Sequence, residues 1–220
     1  MATSGTQRPG GRTERTRQAV LHATLDLLAE RGFSELTVDA VAERSGVHKT
    51  TVYRRWSSPD GLVAAALQMG AEDDWKAPDT GSLEDDLHEV AAEVVRYFTG
   101  PALKELPTAS VLAAFQSPQA AEALHDFYQD RHVRMAPIAE RAVARGEVPP
   151  GTDGDELVRA VCGPMFYRLF LSREDVTVAD ARVTARAVAS AAREGAYVRG
   201  DSAPHSRGQT RNSRDQGPHS

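Results

Sequence analysis

The run Thr37–Leu62, TVDAVAERSGVHKTTVYRRWSSPDGL, constrains the chain more than any other stretch. Two short helical periods flank one glycine, Gly46, and a further helix start follows at Ser58-Pro59. Thr37 is an N-cap candidate, because its hydroxyl can accept from a first-turn N–H, and Asp39 suits the positive helix end. Val38 to Ser45 reads as a helix with Val41 and Ala42 inward and Glu43 and Arg44 outward. Gly46 supplies the permissive backbone of a tight turn. Val47 re-enters the core, and a third helix runs over about His48–Trp56. Ser58 caps a fourth helix that Pro59 opens.

The outward face of the third segment carries the chemistry. His48, Lys49, Thr50, Thr51, Tyr53, Arg54 and Arg55 crowd into two turns, while Val47 and Val52 serve the core. A plain solvated face carries carboxylates for balance, yet Val47–Pro59 contains none. Lys and Arg neutralise phosphates or meet guanine acceptors. Thr donates to phosphate or touches a thymine methyl, and Tyr hydrogen-bonds a phosphate. Ser58 at a helix N-terminus adds a phosphate site. The pattern is that of a helix-turn-helix that lays its second helix into double-stranded DNA.

The overall charge of −5 argues against nucleic acid, but its distribution does not. Residues 1–58 hold 9 Lys and Arg against 6 Asp and Glu, a net +3. Residues 59–198 hold 13 against 23, a net −10, and the tail 199–220 is +2. A basic head on an acidic body points to a local polyanion site. The single cysteine, Cys162, excludes an internal disulfide and fits a reducing cytoplasm. No apolar run approaches the roughly 20 residues of a membrane span, and no signal-peptide core is visible, so a cytoplasmic location without membrane contact is expected.

The composition and periodicity predict an all-α chain of about nine helices. Residues 1–12 read as a disordered basic arm, 13–58 as a three-helix DNA-binding head, 59–198 as a larger helical body, and 199–220 as a disordered polar tail. The first helix is expected from Thr13 to Arg31, ended by Gly32. In the body, helical patterns run near Leu83–Phe98, Ala102–Phe115, Gln119–Arg145, Asp155–Leu171 and Ala179–Tyr197. Pro107 and Pro137 predict kinks or splits.

TVDAVAERSGVHKTTVYRRW, with the AERGF ending of the preceding helix, resembles the DNA-binding signature of the tetracycline-repressor (TetR) family of bacterial regulators. The resemblance covers about residues 14–67. It implies a homodimer, a palindromic operator and a DNA grip that a ligand empties. It puts Lys49, Thr50 and Thr51 near bases, Tyr53 and Arg55 at phosphates, and Thr37 at a phosphate ahead of the second helix. Relatives often open the fourth helix with a lysine, as in SKE; here Ser58-Pro59-Asp60 stands instead. Arg54 and the arm arginines Arg8, Arg12, Arg15 and Arg17 are the available substitutes. The GPMFYRLF stretch resembles, more weakly, a motif in the C-terminal half of some members.

The helix Asp155–Leu171 is apolar nearly all round and must be covered on every side, partly by its own body and partly by a partner. Val158, Cys162 and Leu169 on it, and the Ala181, Ala185, Val188 and Ala192 stripe on the last helix, are the expected dimer contacts. With their symmetry mates they predict a four-helix interface about a two-fold axis, which sets the two reading helices roughly 34 Å apart. The resemblance places the dimer contact on the same two helices. Trp75, Phe98, Phe115, His125, Tyr128, Met135, Met165 and Phe166 are candidate walls for a small apolar or aromatic ligand. The fourth helix, which joins head to body, is the expected lever.

Enzyme chemistry has no anchor: there is no Gly-rich phosphate loop, no HExxH and no CxxC. His125 and His132 lie seven residues apart without a third ligand, so neither a metal nor a cofactor is expected. Two rivals share the residues: a regulator of the same fold without a small-molecule ligand, and a helical carrier or enzyme with a vestigial DNA unit.

Overall fold

The structure, a computed structural model, describes residues 10–70, 75–100 and 105–199. Its described residues form nine α-helices, one 3-10 turn and one π-helical segment, with no strands. The head comprises α1 (Gly10–Arg31), the 3-10 turn Phe33–Glu35, α2 (Val38–Ser45) and α3 (Lys49–Arg55). The body comprises α4 (Pro59–Gly70), α5 (Leu83–Thr99), α6 (Glu105–Ala114), α7 (Pro118–Ala144), α8 (Gly154–Phe166), the π-helical Tyr167–Ser172 and α9 (Val178–Arg193). Most of the expected arm (1–9) and tail (200–220) lies outside the described residues; residues 10–12 already belong to α1.

The apolar side chains form two cores, and they do not divide at 58/59. Val20, Leu21, Leu27 and Leu28 of α1, Val41 of α2, Val52 of α3 and Trp56 pack with Leu62, Val63, Ala66 and Leu67 of α4. Ala113 of α6 and Ala120 and Ala123 of α7 close this cluster from the body side. The second core joins α5, the later half of α7, α8 and α9 around Leu87, Ile138, Leu157, Val161 and Met165. The fourth helix is therefore built into the head's core. Leu28 is fully buried there, and truncating such a leucine to alanine costs about 2–5 kcal/mol.

Helix ends follow local chemistry. The Ser82 and Ser117 hydroxyls accept from Asp85 and Ala120 N–H at 3.2 Å each, capping α5 and α7. Thr177 and Asp180 form a reciprocal capping box on α9. Pro137 does not split α7, which runs unbroken through it. The residue four back, Val133, is 72% exposed, so the hydrogen bond that Pro137 cannot make is missing from a surface turn. The last helix stops at Arg193 rather than Tyr197. Gly195 takes φ +81°, and Tyr197–Arg199 run back along the α7–α8 turn, where the Tyr197 carbonyl accepts from Asp153 N–H at 2.7 Å. The expected helix over Asp155–Leu171 is α8 followed by the π-helical turn, which ends at Arg173 with φ +57°.

Asp86 is the buried charge of the body. It accepts from the Thr80 N–H and hydroxyl, both at 2.7 Å, and Arg145 lies 3.7 Å from its second oxygen. A carboxylate out of water needs such partners, and these pin the loop before α5 onto α7.

Candidate nucleic-acid interface

The reading head is assembled by short-range contacts. The Thr37 hydroxyl accepts from Ala40 N–H at 3.1 Å, so the expected N-cap of α2 is present. Gly46 sits in the left-handed region at φ +66° and turns the chain between α2 and α3. Arg44 reaches back to Glu30 with two hydrogen bonds, at 2.8 and 2.7 Å, tying α2 to the end of α1. Those bonds to Arg44 hold the Glu30 carboxyl below its ordinary range. Val52 is fully buried and fixes the roll of α3. With Val52 inward, His48, Lys49, Thr50, Tyr53, Arg54 and Arg55 are exposed and Thr51 is half-buried.

Two side chains on this face are oriented by neighbours. The Tyr53 hydroxyl donates to Asp39 at 3.3 Å, bridging α3 and α2. Partial desolvation, then the Asp39 carboxylate, raise the Tyr53 phenol above its ordinary value, so it stays a neutral donor. The Arg55 guanidinium lies over the Trp56 ring at 5.1 Å. Ser58 caps α4 by accepting from Gly61 N–H at 3.2 Å, leaving Pro59 in the first turn without a lysine's charge.

The geometry is that of a helix-turn-helix mounted on a helical body, and residues 20–66 match the family model for bacterial regulatory proteins of the tetR family. Residues 77–188 match the tetracyclin repressor-like C-terminal domain. The chain belongs to the TetR family. It is a DNA-binding transcriptional regulator and not an enzyme. The uncharacterized HTH-type transcriptional regulator YdeS of Bacillus subtilis is 34% identical over 168 residues, covering 75% of this chain and 83% of that one. The regulator AqdR of Rhodococcus erythropolis is 32% identical over 157 residues, covering 71% and 75%. Among solved structures, the TetR family regulator SCO0332 superposes with a TM-score of 0.61 at 29% identity, covering 80% of this chain and 97% of that one.

The residues expected at a ligand wall separate into three groups. Phe98, Tyr128 and Phe166 do come together. Phe98 meets Phe166 edge-on at 5.5 Å, and Tyr128 meets Phe166 at 6.0 Å. Tyr97, Phe127 and Phe170 complete this aromatic cluster. Tyr97 joins the expected residues here, and its place beside Phe98 in the chain is the signal that marks it. Met165 and Met135 serve the second core, and the Trp75 indole donates to Glu93 at 2.7 Å beneath the Arg131 guanidinium. Phe115 and His125 are corrections: Phe115 is 84% exposed and His125 is also on the surface. Ala113 and Ala123 turn inward on their helices, which forces those two residues outward. The interior space at the cluster is only about 80 Å3, between Tyr97, Phe98, Ser110, Leu124 and Tyr128.

The expected dimer stripe needs correction too. Val158, Cys162, Ala181, Ala185, Val188 and Ala192 are buried within the chain's own second core. Leu169 is half-buried against it. α9 turns its alanine stripe onto α5, so these residues are covered before any partner arrives. Burial pushes the Cys162 thiol up to about 12, which leaves it inert. What the same helices leave outside is Gly163, Pro164, Tyr167, Leu171, Val183 and Ala187.

No described helix is long and apolar enough to cross a membrane. Among the described residues no group of three His, Cys, Asp or Glu is placed to hold a metal ion.

Proposed function

We propose that the protein works as a homodimer that grips a palindromic operator and lets go when a small molecule binds the body. The carrying observation is the exposed, carboxylate-free α3 face, held in register by buried Val52 and by the Tyr53–Asp39 bridge. Lys49, Thr50 and Thr51 are the base-proximal residues of this reading. Tyr53, Arg54, Arg55, His48 and Thr37 are its phosphate contacts, and Ser58 offers the α4 N-terminus.

Dimerisation is supported by the outer face of α8 and α9. Tyr167 and Leu171 in the π-helical turn that continues α8, and Val183 on α9, are 57, 73 and 70% exposed, large apolar side chains of the kind that an interface covers. Ligand release is supported by the fold's use elsewhere: SmeT, alike in fold at 17% identity and TM-score 0.57, is known as a complex with triclosan. One observation favours the rival without a small molecule, since the interior aromatic cluster encloses so little space. The test is fluorescence anisotropy with the palindrome upstream of the protein's own gene, with sedimentation equilibrium for the dimer. Salt-sensitive binding of one dimer per site is expected. Equal affinity for scrambled DNA would refute specific recognition, and a thermal-shift panel with no stabilising compound would favour the rival.

A further inference from the structure

A wider opening than the one in the aromatic interior lies between head and body. It measures about 700 Å3, within the range that holds a drug-sized ligand. Ala29 and the Gly32–Ser34 turn form the head wall, backed by buried Leu28, and the end of α5, one side of α6, Leu169, Phe170 and residues 173–176 form the body wall. Its apolar surface comes from Phe33, Phe98, Leu112 and Phe170, and Ser34, Thr108 and Gln116 line its polar side.

A second observation falls on the same wall. Leu169 and Phe170 lie in the π-helical segment Tyr167–Ser172, and Arg173 after it takes φ +57°. It is the one non-glycine residue with positive φ among the described residues. A π-helical turn and a left-handed arginine are both disfavoured backbone, and both concentrate at functional sites. Together they present Leu169 and Phe170 to the opening.

We propose that this cleft is a binding site for an uncharged organic molecule with a flat apolar body and a hydrogen-bonding edge. The charge balance sets the class. The cleft wall carries Arg173 against Glu174 and Asp175, and the neighbouring Arg168, 3.8 Å from Glu174, is hydrogen-bonded to Asp180 at 2.7 Å, so the wall has no excess of positive charge. An anionic ligand gains nothing there and loses its hydration. The site rests on the small-molecule reading above and gives it a direct route to DNA. A ligand against Ala29 and Phe33 bears on the end of α1, and Glu30 passes that displacement to α2 through Arg44. The lever is then α1 and its 3-10 turn, since α4 is locked into the head's core.

The test uses the full chain and two dyes of one ring system, neutral N-phenyl-1-naphthylamine and anionic 8-anilinonaphthalene-1-sulfonate. The neutral dye is expected to bind at least tenfold more tightly than the anionic one. Thr108→Trp, which fills the cleft, and Leu112→Asp, on a half-exposed position that tolerates charge, are each expected to weaken the neutral dye tenfold or more. Circular dichroism melting verifies folding. A folded variant of either kind that keeps wild-type affinity overturns the site, and equal affinity for both dyes overturns the ligand class. Operator anisotropy with saturating neutral dye separates the two ideas. Dye loss in the variants with an unmoved operator affinity leaves the site standing and removes small-molecule release. Operator release that persists in both variants does the reverse.

Discussion

Lys49 opens α3 on its exposed side, with no carboxylate between Val47 and Pro59 to neutralise it. The proposed role of Lys49 in DNA binding is measurable as counterion release. Lys49→Ala is expected to flatten the slope of log affinity against log salt by about one if Lys49 meets a phosphate. If it meets a base edge instead, base preference at one operator position relaxes and affinity falls by about 1–3 kcal/mol. A slope and a preference both unchanged would remove Lys49 from the interface. Thr37 works through the fold. Its hydroxyl satisfies the Ala40 N–H at the start of α2, so Thr37→Ala should lower stability by about 1 kcal/mol, read as a shift in the urea midpoint. Residues such as these are legible in sequence because cap, turn and helix face are set within a few positions of one another. Phe115 and His125 were not, because their neighbours on α6 and α7, rather than their own character, decide which way each helix rolls.

At the scale of elements, α8 and α9 show where periodicity misleads. Helix α9 has a small-residue stripe that fits close helix approach, and sequence cannot say whether the approaching helix belongs to the same chain. It does: the stripe packs into the core with α5, Arg182 secures that contact through Asp85, and Arg168 ties the π-helical turn to α9 through Asp180. The surface left for a partner is the opposite one, around Val183 and Ala187. Val183→Asp is therefore expected to shift the protein toward monomer in sedimentation equilibrium, at little cost to the subunit fold, since Val183 is 70% exposed. Ala185→Asp should instead unfold the subunit, because it puts a charge in the core. A dimer that survives Val183→Asp would place the interface elsewhere. The π-helical turn after α8 was equally hidden, for its residues Tyr167–Ser172 have ordinary helical propensity and Pro164 sits a turn earlier.

At the scale of the whole molecule, the all-helical fold and the nine helices of the described residues were readable, while the place of α4 in the packing was not. The α4 side chains could serve either core, and only packing assigns them to the head. The acidic body in turn predicts how stability follows pH. Burial lowers the pKa of His88, where Arg182 adds to it and Glu89 and Asp85 oppose it. Burial likewise lowers His132, facing Arg159, Asp155 and Glu156. A histidine depressed in the folded state gives stability that is present above its unfolded value of about 6.5 and lost as pH falls toward the folded value. The carboxylates act in the same direction at lower pH. The Asp85 carboxyl is held down by Arg182 and then Ser82, Asp153 by Arg199, and Asp180 by Thr177. Burial raises Glu147, and the Leu83 N–H and Arg145 outweigh it. Depressed carboxylates give stability present above their unfolded values and lost as pH falls through the folded ones. The urea midpoint should thus fall in two steps, one between about pH 7 and 5 and one below about pH 4. His88→Gln combined with His132→Gln should flatten the first step and leave the second. A wild-type midpoint that is level from pH 7 to 5 would show that neither histidine is held neutral by the fold.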